Sequence, residues 1–348
     1  MAQTYFKRVA QETGTRLWIN NPSEREIELA IDAGAINMTS NPSYASKLLG
    51  KEPEYMDAVI ACALAATEDD EEAAEAVIQE ISERAMDAFL PLWESSGGAC
   101  GYVTVQDDPR ADEDADGIIS AALKYHALRP NFLAKIPLTS AGLEAIAALV
   151  AEDVPTCATE CFAIAQAVEV CELYERVAER SGRQPPFFAT HITGIFDEFL
   201  LKQVEREGIE IAPEVLREAG CAVVRKEYRV LKQRGFRTTL LGGGAREARH
   251  FTEMVGGDMH ITINWSMADE LIQQSPPVVS RIDVEPPEAV IGELCDKLED
   301  FRRSYVDDGL AIEEFAGFGS VQYFRDMFLA GYAALFDAIA ARRQEPAG

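Results

Sequence analysis

The sequence predicts an α/β protein, a (β/α)8 TIM barrel carrying additional helices and a C-terminal helical extension. Eight short β-like runs alternate with helix-length amphipathic segments, which is the mark of a parallel sheet with crossover helices. The 348 residues exceed the roughly 250 that such a barrel commonly needs, and the surplus falls between the second and third runs and after residue 275. Polar residues stand at the carboxyl ends of the runs, where barrels of this kind place their chemistry.

In chain order, the strand-like runs are 15–20 (TRLWIN), 35–39 (AINMT), 100–106 (CGYVTVQ), 132–137 (FLAKIP), 154–159 (VPTCAT), 187–191 (FFATH), 237–242 (RTTLLG) and 259–264 (HITIN). Helices are expected near 24–32, 43–65, 70–90, 114–128, 139–151, 160–180, 195–207, 213–234 and 246–254. In the third of these, Val77, Ile78, Ile81, Ala85 and Phe89 recur at helical spacing, so one face is buried. After Pro276-Pro277 and Pro286-Pro287 the chain reads as helices near 288–305 and 320–342. Tyr323, Phe324, Phe328, Tyr332 and Phe336 form an aromatic stripe there, expected to pack on the barrel. The organisation is therefore a barrel over 1–275 and an extension over 276–348 packed against it.

Composition narrows the function. Hydrophobic residues make up 47% of the chain, enough for a sizeable core, and 59 acidic against 32 basic residues give a formal charge of −27. Such a surface repels phosphates, which argues against nucleic-acid or anionic-membrane partners and requires any phosphate site to be local. Seven cysteines (62, 100, 157, 161, 171, 221, 295) form no CxxC pair. The odd count, with no export signal at the amino end, points to reduced thiols in a cytoplasmic protein. Cys157 and Cys161 lie four apart, but the only histidine at all near them in sequence is His191, so no metal site is expected. No apolar run approaches the roughly 18 residues of a membrane helix.

The residue that concentrates attention is Lys135, alone in the apolar run Phe132-Leu-Ala-Lys135-Ile-Pro-Leu. One reading is a strand-end lysine whose ammonium reaches solvent or a carboxylate. The other is a desolvated amine with a lowered pKa, which is what a Schiff-base lysine needs. Its companions at the strand ends are Asn20, Asn41, Gln106, Thr159, His191, Arg246 and Asn264. The run Gly242-Gly-Gly244 lacks the third glycine and the early position of a dinucleotide fingerprint, yet placed before a helix it suits a phosphate cradle.

Five motifs, in order and at compatible spacing over about residues 15–275, resemble the transaldolase family of class I aldolases. Thr39-Ser-Asn-Pro-Ser43 is similar to its T-T-N-P-S, Val103-Thr-Val-Gln-Asp-Asp-Pro-Arg110 to V-S-x-E-V-D-P-R, and Lys135-Ile-Pro-Leu-Thr-Ser-Ala-Gly142 to K-I-P-x-T-x-x-G. Val154-Pro-Thr-Cys-Ala-Thr159 with Phe162 and Gln166-Ala167 is similar to I-x-x-N-x-T-x-x-F-x-x-x-Q-A, and Leu241-Gly-Gly-Gly-Ala-Arg246 to M-G-A-S-F-R. The resemblance implies carbohydrate chemistry of the kind found in the pentose phosphate pathway. Lys135 would form an imine with a ketose and hold a three-carbon dihydroxyacetone unit as an enamine. Gln106 falls where transaldolases carry a glutamate that handles the water of imine formation, and the fructose-6-phosphate aldolases of the family carry glutamine there. Thr159 matches the hydroxyl that positions that water, Asn41 the asparagine that binds a dihydroxyacetone hydroxyl, and Arg246 the arginine that pairs with phosphate. No organic cofactor is implied, and a homo-oligomer is possible by family analogy.

The departures are specific. Asn20 stands where the family has an aspartate that takes a proton during carbon–carbon cleavage, and a carboxamide cannot be that base. Cys157 replaces an asparagine. After the sixth strand, Thr190-His-Ile-Thr-Gly-Ile195 replaces S-P-F-V-G-R, so Ile195 stands in place of a second phosphate arginine, and Gly244 replaces a serine two residues before Arg246. His191 is a candidate replacement base or a satisfied polar residue, and Thr190 beside it a candidate substrate contact. Asp107 and Asp108 are expected to brace their loop, and either could instead reach inward as the base. Glu160 reads as a surface acid at a helix start, and Arg246 either grips an anion or pairs with an acid such as Glu247. The expected function is a transaldolase-type transferase acting on a sugar or sugar phosphate. The alternatives are a fructose-6-phosphate aldolase-like lyase and a sugar-binding barrel that has lost turnover.

Overall fold

The computed structural model describes residues 3–344. Its centre is a closed barrel of eight strands in sequence order, every neighbouring pair parallel, so no strand edge is left open. Helix α1 (Tyr5–Glu12) precedes β1 (Arg16–Asn20), followed by α2 (Glu24–Ala33), β2 (Ala35–Thr39) and three helices, α3 (Tyr44–Lys51), α4 (Pro53–Ala66) and α5 (Asp70–Ser96). Next come β3 (Val103–Val105), α6 (Ala115–His126), β4 (Phe132–Pro137), α7 (Ser140–Ala151), β5 (Thr156–Cys161), α8 (Ile164–Ser181), β6 (Phe187–Ile192) and α9 (Thr193–Glu207). The single turn α10 (Pro213–Leu216) and α11 (Ala219–Arg234) lead to β7 (Thr239–Gly243), α12 (Arg249–Thr252), β8 (His260–Ile263) and α13 (Trp265–Gln274). The tail forms α14 (Glu288–Lys297), α15 (Glu299–Tyr305) and α16 (Gly319–Gln344).

Where the elements depart from the sequence reading, local chemistry explains the difference. The helix expected over 43–65 breaks at Glu52, because Pro53 has no N–H to continue it and starts α4 instead. β3 shrinks to three residues after Gly101, whose φ of +92° turns the chain against α5; a Cβ there would meet Trp93 N at 2.3 Å. β5 runs on to Cys161, and α8 starts at Ile164 instead of 160. Gln166 Oε1 accepts the N–H groups of both Phe162 (2.9 Å) and Ala163 (3.1 Å) and so fixes the loop between them. Glu160 itself has φ +62°, which no helix start allows.

The barrel floor is a small apolar layer of Trp18, Tyr102, Leu133, Cys157, Phe188 and Leu241, with Trp18 edge-on to Phe188 at 4.9 Å. Trp18 Nε1 donates to His260 Nδ1 at 2.9 Å, and burial drives the His260 pKa from 6.5 down to about 3. The folded chain therefore refuses a proton that the unfolded chain accepts. Stability is held above about pH 6.5 and lost as the pH falls toward 3, at up to about 1.4 kcal/mol per unit. Urea midpoints measured between pH 7 and 4 are expected to fall less steeply for His260→Gln, whose amide keeps an acceptor for the indole. Equal slopes in the two proteins would exclude this role.

Helix α16 crosses the barrel against α3, α4, α5 and α9. A Cβ on Gly331 would come 2.2 Å from Ser43 Oγ, so the small residue lets α16 sit close to the start of α3. Arg343 Nε bonds Asp70 Oδ1 at 2.7 Å. Among the described residues no helix is long and apolar enough to cross a membrane.

Candidate active site

Lys135 projects from the middle of β4 into the carboxyl-end mouth of the barrel. Only 8% of its surface is accessible. Its Nζ donates to the Ser40 carbonyl at 2.9 Å and lies 5.7 Å from the centroid of the Phe328 ring on α16. Among the described residues no carboxylate pairs with it directly, and desolvation lowers its pKa to about 8. This lysine divides two hollows. One, at the mouth, is lined by Asn20, Asn41, Thr190, Arg246, Thr262 and Phe328 among others. The second lies behind, against Gln106, Asp107, Asp112 and Tyr125.

Asn20 Oδ1 accepts from Thr39 Oγ1 at 3.1 Å, and that hydroxyl meets Thr262 Oγ1 at 2.7 Å. Asn41 Oδ1 accepts from Asn21 Nδ2 at 3.1 Å and Ser43 N at 3.0 Å, which leaves its amide N–H groups toward the mouth. Thr190 Oγ1 lies 3.1 Å from Cys157 Sγ, and Cys157 is the β5 partner of Lys135 in register. Asn264 caps α13 by accepting from Met267 N at 3.0 Å. Thr159 is fully buried two residues beyond Cys157, and its hydroxyl has no protein partner; Gln106 Oε1 is likewise unpartnered. The mouth thus collects Lys135, Asn20, Asn41, Thr190, Gly244 and Arg246, while Gln106 sits behind the lysine.

His191 is not among them. Alternation along β6 turns Phe188 and Thr190 inward and His191 outward. Its Nδ1 lies 2.9 Å from Glu227 Oε2 on α11, with both side chains fully buried. The expected replacement base therefore points into the layer between sheet and helices. Cys161 shares that pocket, and Cys161, His191 and Glu227 bring ligand-type atoms within 4.8 Å of one another, a grouping that sequence distance concealed. A structural zinc takes four ligands, and no fourth His, Cys or carboxylate joins these three among the described residues.

Glu160 is the largest correction. It was expected on the surface at a helix start, yet it lies in β5 with 1% of its surface accessible. Its Oε1 accepts from Gln106 Nε2 at 3.2 Å. Burial raises its pKa, against the opposing effects of the Gln106 bond, Lys135 and Arg325. Asp112 is also buried and raised, by desolvation first and then by Glu160. Arg325 of α16 stands 3.6 Å from its Oδ2. Asp108 braces its loop, accepting from Arg110 N at 2.8 Å, and Asp107 faces the hollow behind Lys135 rather than the mouth.

At the seventh strand, Gly244 has φ +65°, and a Cβ there would meet Ile192 Cγ2 at 2.6 Å and Ile195 Cδ1 at 3.2 Å. A serine does not fit without moving those isoleucines. Arg246 reaches the rim, where its Nε bonds Glu198 at 2.6 Å, so its acid partner is Glu198 and not Glu247. His250 Nδ1 accepts the N–H groups of Arg246 (3.0 Å) and Glu247 (3.1 Å), which puts the ring proton on Nε2 facing Asp197 at 2.9 Å. Lys47 of α3 also lines the mouth rim. No ion pair or hydrogen bond from its ammonium occurs among the described residues, and its pKa is lowered by crowding from the protein first, then by Arg246 and Lys51. Neither Lys47 nor His250 carried a signal in the sequence, since each acts through a partner far away in the chain.

A sequence model of the family described as Transaldolase/Fructose-6-phosphate aldolase matches residues 17–314. The chain belongs to that transaldolase/fructose-6-phosphate aldolase family. Relatives named transaldolase include one from Mycobacterium tuberculosis, 29% identical over 234 residues, which cover 63% of this chain and 62% of the relative. Another from Mycobacterium ulcerans is 28% identical over 255 residues, covering 64% of this chain and 67% of the relative. A third from Kocuria rhizophila is 28% identical over 236 residues, 64% of each. The chain thus spans somewhat under two thirds of the length of the first of these relatives. The family assignment agrees with the closed eight-stranded barrel and its helices.

Proposed function

We propose that this protein is a transaldolase-type enzyme whose Lys135 forms a Schiff base with a ketose or ketose phosphate and transfers or releases a three-carbon dihydroxyacetone unit. The observation that carries this is an enclosed lysine, with no paired carboxylate among the described residues, at the mouth of a barrel of this family. The neutral amine attacks the ketose carbonyl. Loss of water gives an iminium. When the hydroxyl on the second carbon from it gives up its proton, the bond between that carbon and the carbon next to the iminium breaks and an aldehyde leaves. The bond's electrons pass to the positive nitrogen to form the three-carbon enamine. Asn41 and the Asn20–Thr39–Thr262 network offer hydrogen bonds to sugar hydroxyls without adding charge. Arg246 and Lys47 gather positive charge at the rim for an anionic group on the substrate.

The direct test is to incubate the protein with fructose 6-phosphate or dihydroxyacetone, reduce with borohydride, and weigh the intact chain. A mass gain mapped to the peptide holding Lys135 is expected, and no gain with any ketose would end this reading. A second reading has its own observation, because among the described residues no carboxylate lines the mouth and Asn20 holds an amide there. A trapped adduct without release of aldehyde from fructose 6-phosphate would favour a ketose-binding barrel over a transferase or lyase.

If Lys47 serves the anion, Lys47→Met should raise KM for a phosphorylated ketose about tenfold, the equivalent of about 1.4 kcal/mol. It should leave kcat and the reaction with dihydroxyacetone unchanged. Equal effects on both substrates would remove Lys47 from the phosphate site.

A further inference from the structure

We propose that Glu160 is the proton donor and acceptor for the water of Schiff-base formation, working from β5 over the strand that carries Lys135. This rests on the imine chemistry proposed for that lysine. The placement is unusual in three ways. β4 lies between β3 and β5, so the hydrogen bond from Gln106, just after β3 and level with Lys135, to Glu160, just beyond the Pro137 level in β5, passes across β4. Glu160 also holds a left-handed backbone, φ +62°, where the register between β5 and β6 slips between Ala158 and Cys161. A non-glycine residue held there is strained, and such strain gathers at functional sites. Finally, the carboxyl is sealed from solvent, yet it hydrogen-bonds only an amide and has no ion pair among the described residues.

The groups that act on it are Lys135 on β4, Gln106 and Asp112 on the segment between β3 and α6, and Arg325 on α16. Two buried carboxyls near a single arginine cannot both ionise cheaply, so one of the two is held protonated near neutral pH. That is the state a proton donor needs. In the step itself, Lys135 has added to the ketose carbonyl, and the resulting carbon bears a hydroxyl and the lysine nitrogen. The Glu160 carboxyl gives its proton to that hydroxyl, the C–O bond breaks, water leaves, and the nitrogen lone pair forms the C=N bond. The product is an iminium cation beside a carboxylate anion, which attract. Hydrolysis runs the same path backwards, with the carboxylate taking a proton from the attacking water. Thr159 Oγ1 and Gln106 Oε1 are both buried without a protein partner and are the hydrogen-bonding groups this assignment gives to that water. Gln106 has no proton to give at its carbonyl oxygen, so the carboxyl at 160 supplies what the amide at 106 lacks.

The test is the rate of adduct formation with dihydroxyacetone, trapped by borohydride at intervals, as a function of pH. In the wild-type chain the rate should fall on the acid side as Lys135 gains its proton and on the alkaline side as Glu160 loses its own. Glu160→Gln should form adduct on the order of 100-fold more slowly and lose the alkaline fall. The double variant Gln106→Glu/Glu160→Gln, which exchanges carboxyl and amide across the same bond, should recover most of the lost rate. Glu160→Gln trapping at the wild-type rate with an unchanged pH profile would overturn the assignment while leaving the Schiff base intact. A wild-type chain that traps no ketose would instead overturn the imine reading beneath it. Should Glu160→Gln fail to fold, the double variant carries the test: wild-type-like trapping supports the exchange, and a properly folded but slow double variant overturns it.

Discussion

Methionine in place of Lys135 should leave no borohydride-stable adduct and lower ketose turnover by at least 10³-fold, the order of loss seen when an enzyme loses its nucleophile. The substitution keeps an unbranched stem of similar length where the lysine now packs, and it removes the cation sealed beneath Phe328. Taking away a desolvated ammium head costs the fold only its single bond to the Ser40 carbonyl. Thermal stability should therefore hold or rise while chemistry disappears, which separates a reactive lysine from a structural one. The wild-type protein adds a second signature. Only the neutral amine attacks, and with a pKa near 8 the rate of adduct formation should drop about tenfold for each pH unit on the acid side, where Glu160 keeps its proton. Retained turnover in Lys135→Met, or a rate indifferent to pH between 5 and 8, would refute the assignment.

The second large effect is expected at Gly142. This glycine ends the motif that begins with Lys135, and it lies in the first turn of α7. Its N–H donates to the Thr139 side chain at 2.9 Å, and a Cβ on it would stand 1.9 Å from the carbonyl oxygen of Pro137. That oxygen is backbone at the end of β4 and already accepts from Thr139 N at 2.9 Å, so it cannot swing aside. Gly142→Ala must push α7 away or pull down the strand end two residues beyond the lysine. A loss of about 3 kcal/mol is expected, a fall in Tm of roughly 4 °C for a chain of this size, together with slower adduct formation as the lysine shifts. An unchanged Tm would show that α7 accommodates the methyl group.

The barrel itself was legible because its information is local and periodic: eight short runs, each followed by a helical pattern, leave few other arrangements. The burial of Lys135 was legible because a lone cation in an apolar run is chemically conspicuous. The errors share a cause. Thr190 and His191 were both placed at the site, although consecutive strand residues face opposite ways and only Thr190 could line a lumen that Phe188 also enters. Glu160 was read as a helix-start acid because nothing in Thr-Glu-Cys announces a left-handed strand residue. Its conformation is set by Gln166 closing the next loop and by Gln106 across β4. Lys47 looked like any other helix lysine until α3 was laid beside Arg246.

Helix α16 places Phe324, Met327 and Phe328 along the mouth and Arg325 beside Asp112. During synthesis the strand bearing Lys135 emerges long before this cover does. The mouth is roofed only once α16 has been synthesised, so the enclosure that lowers the Lys135 pKa is completed by the last helix of the chain.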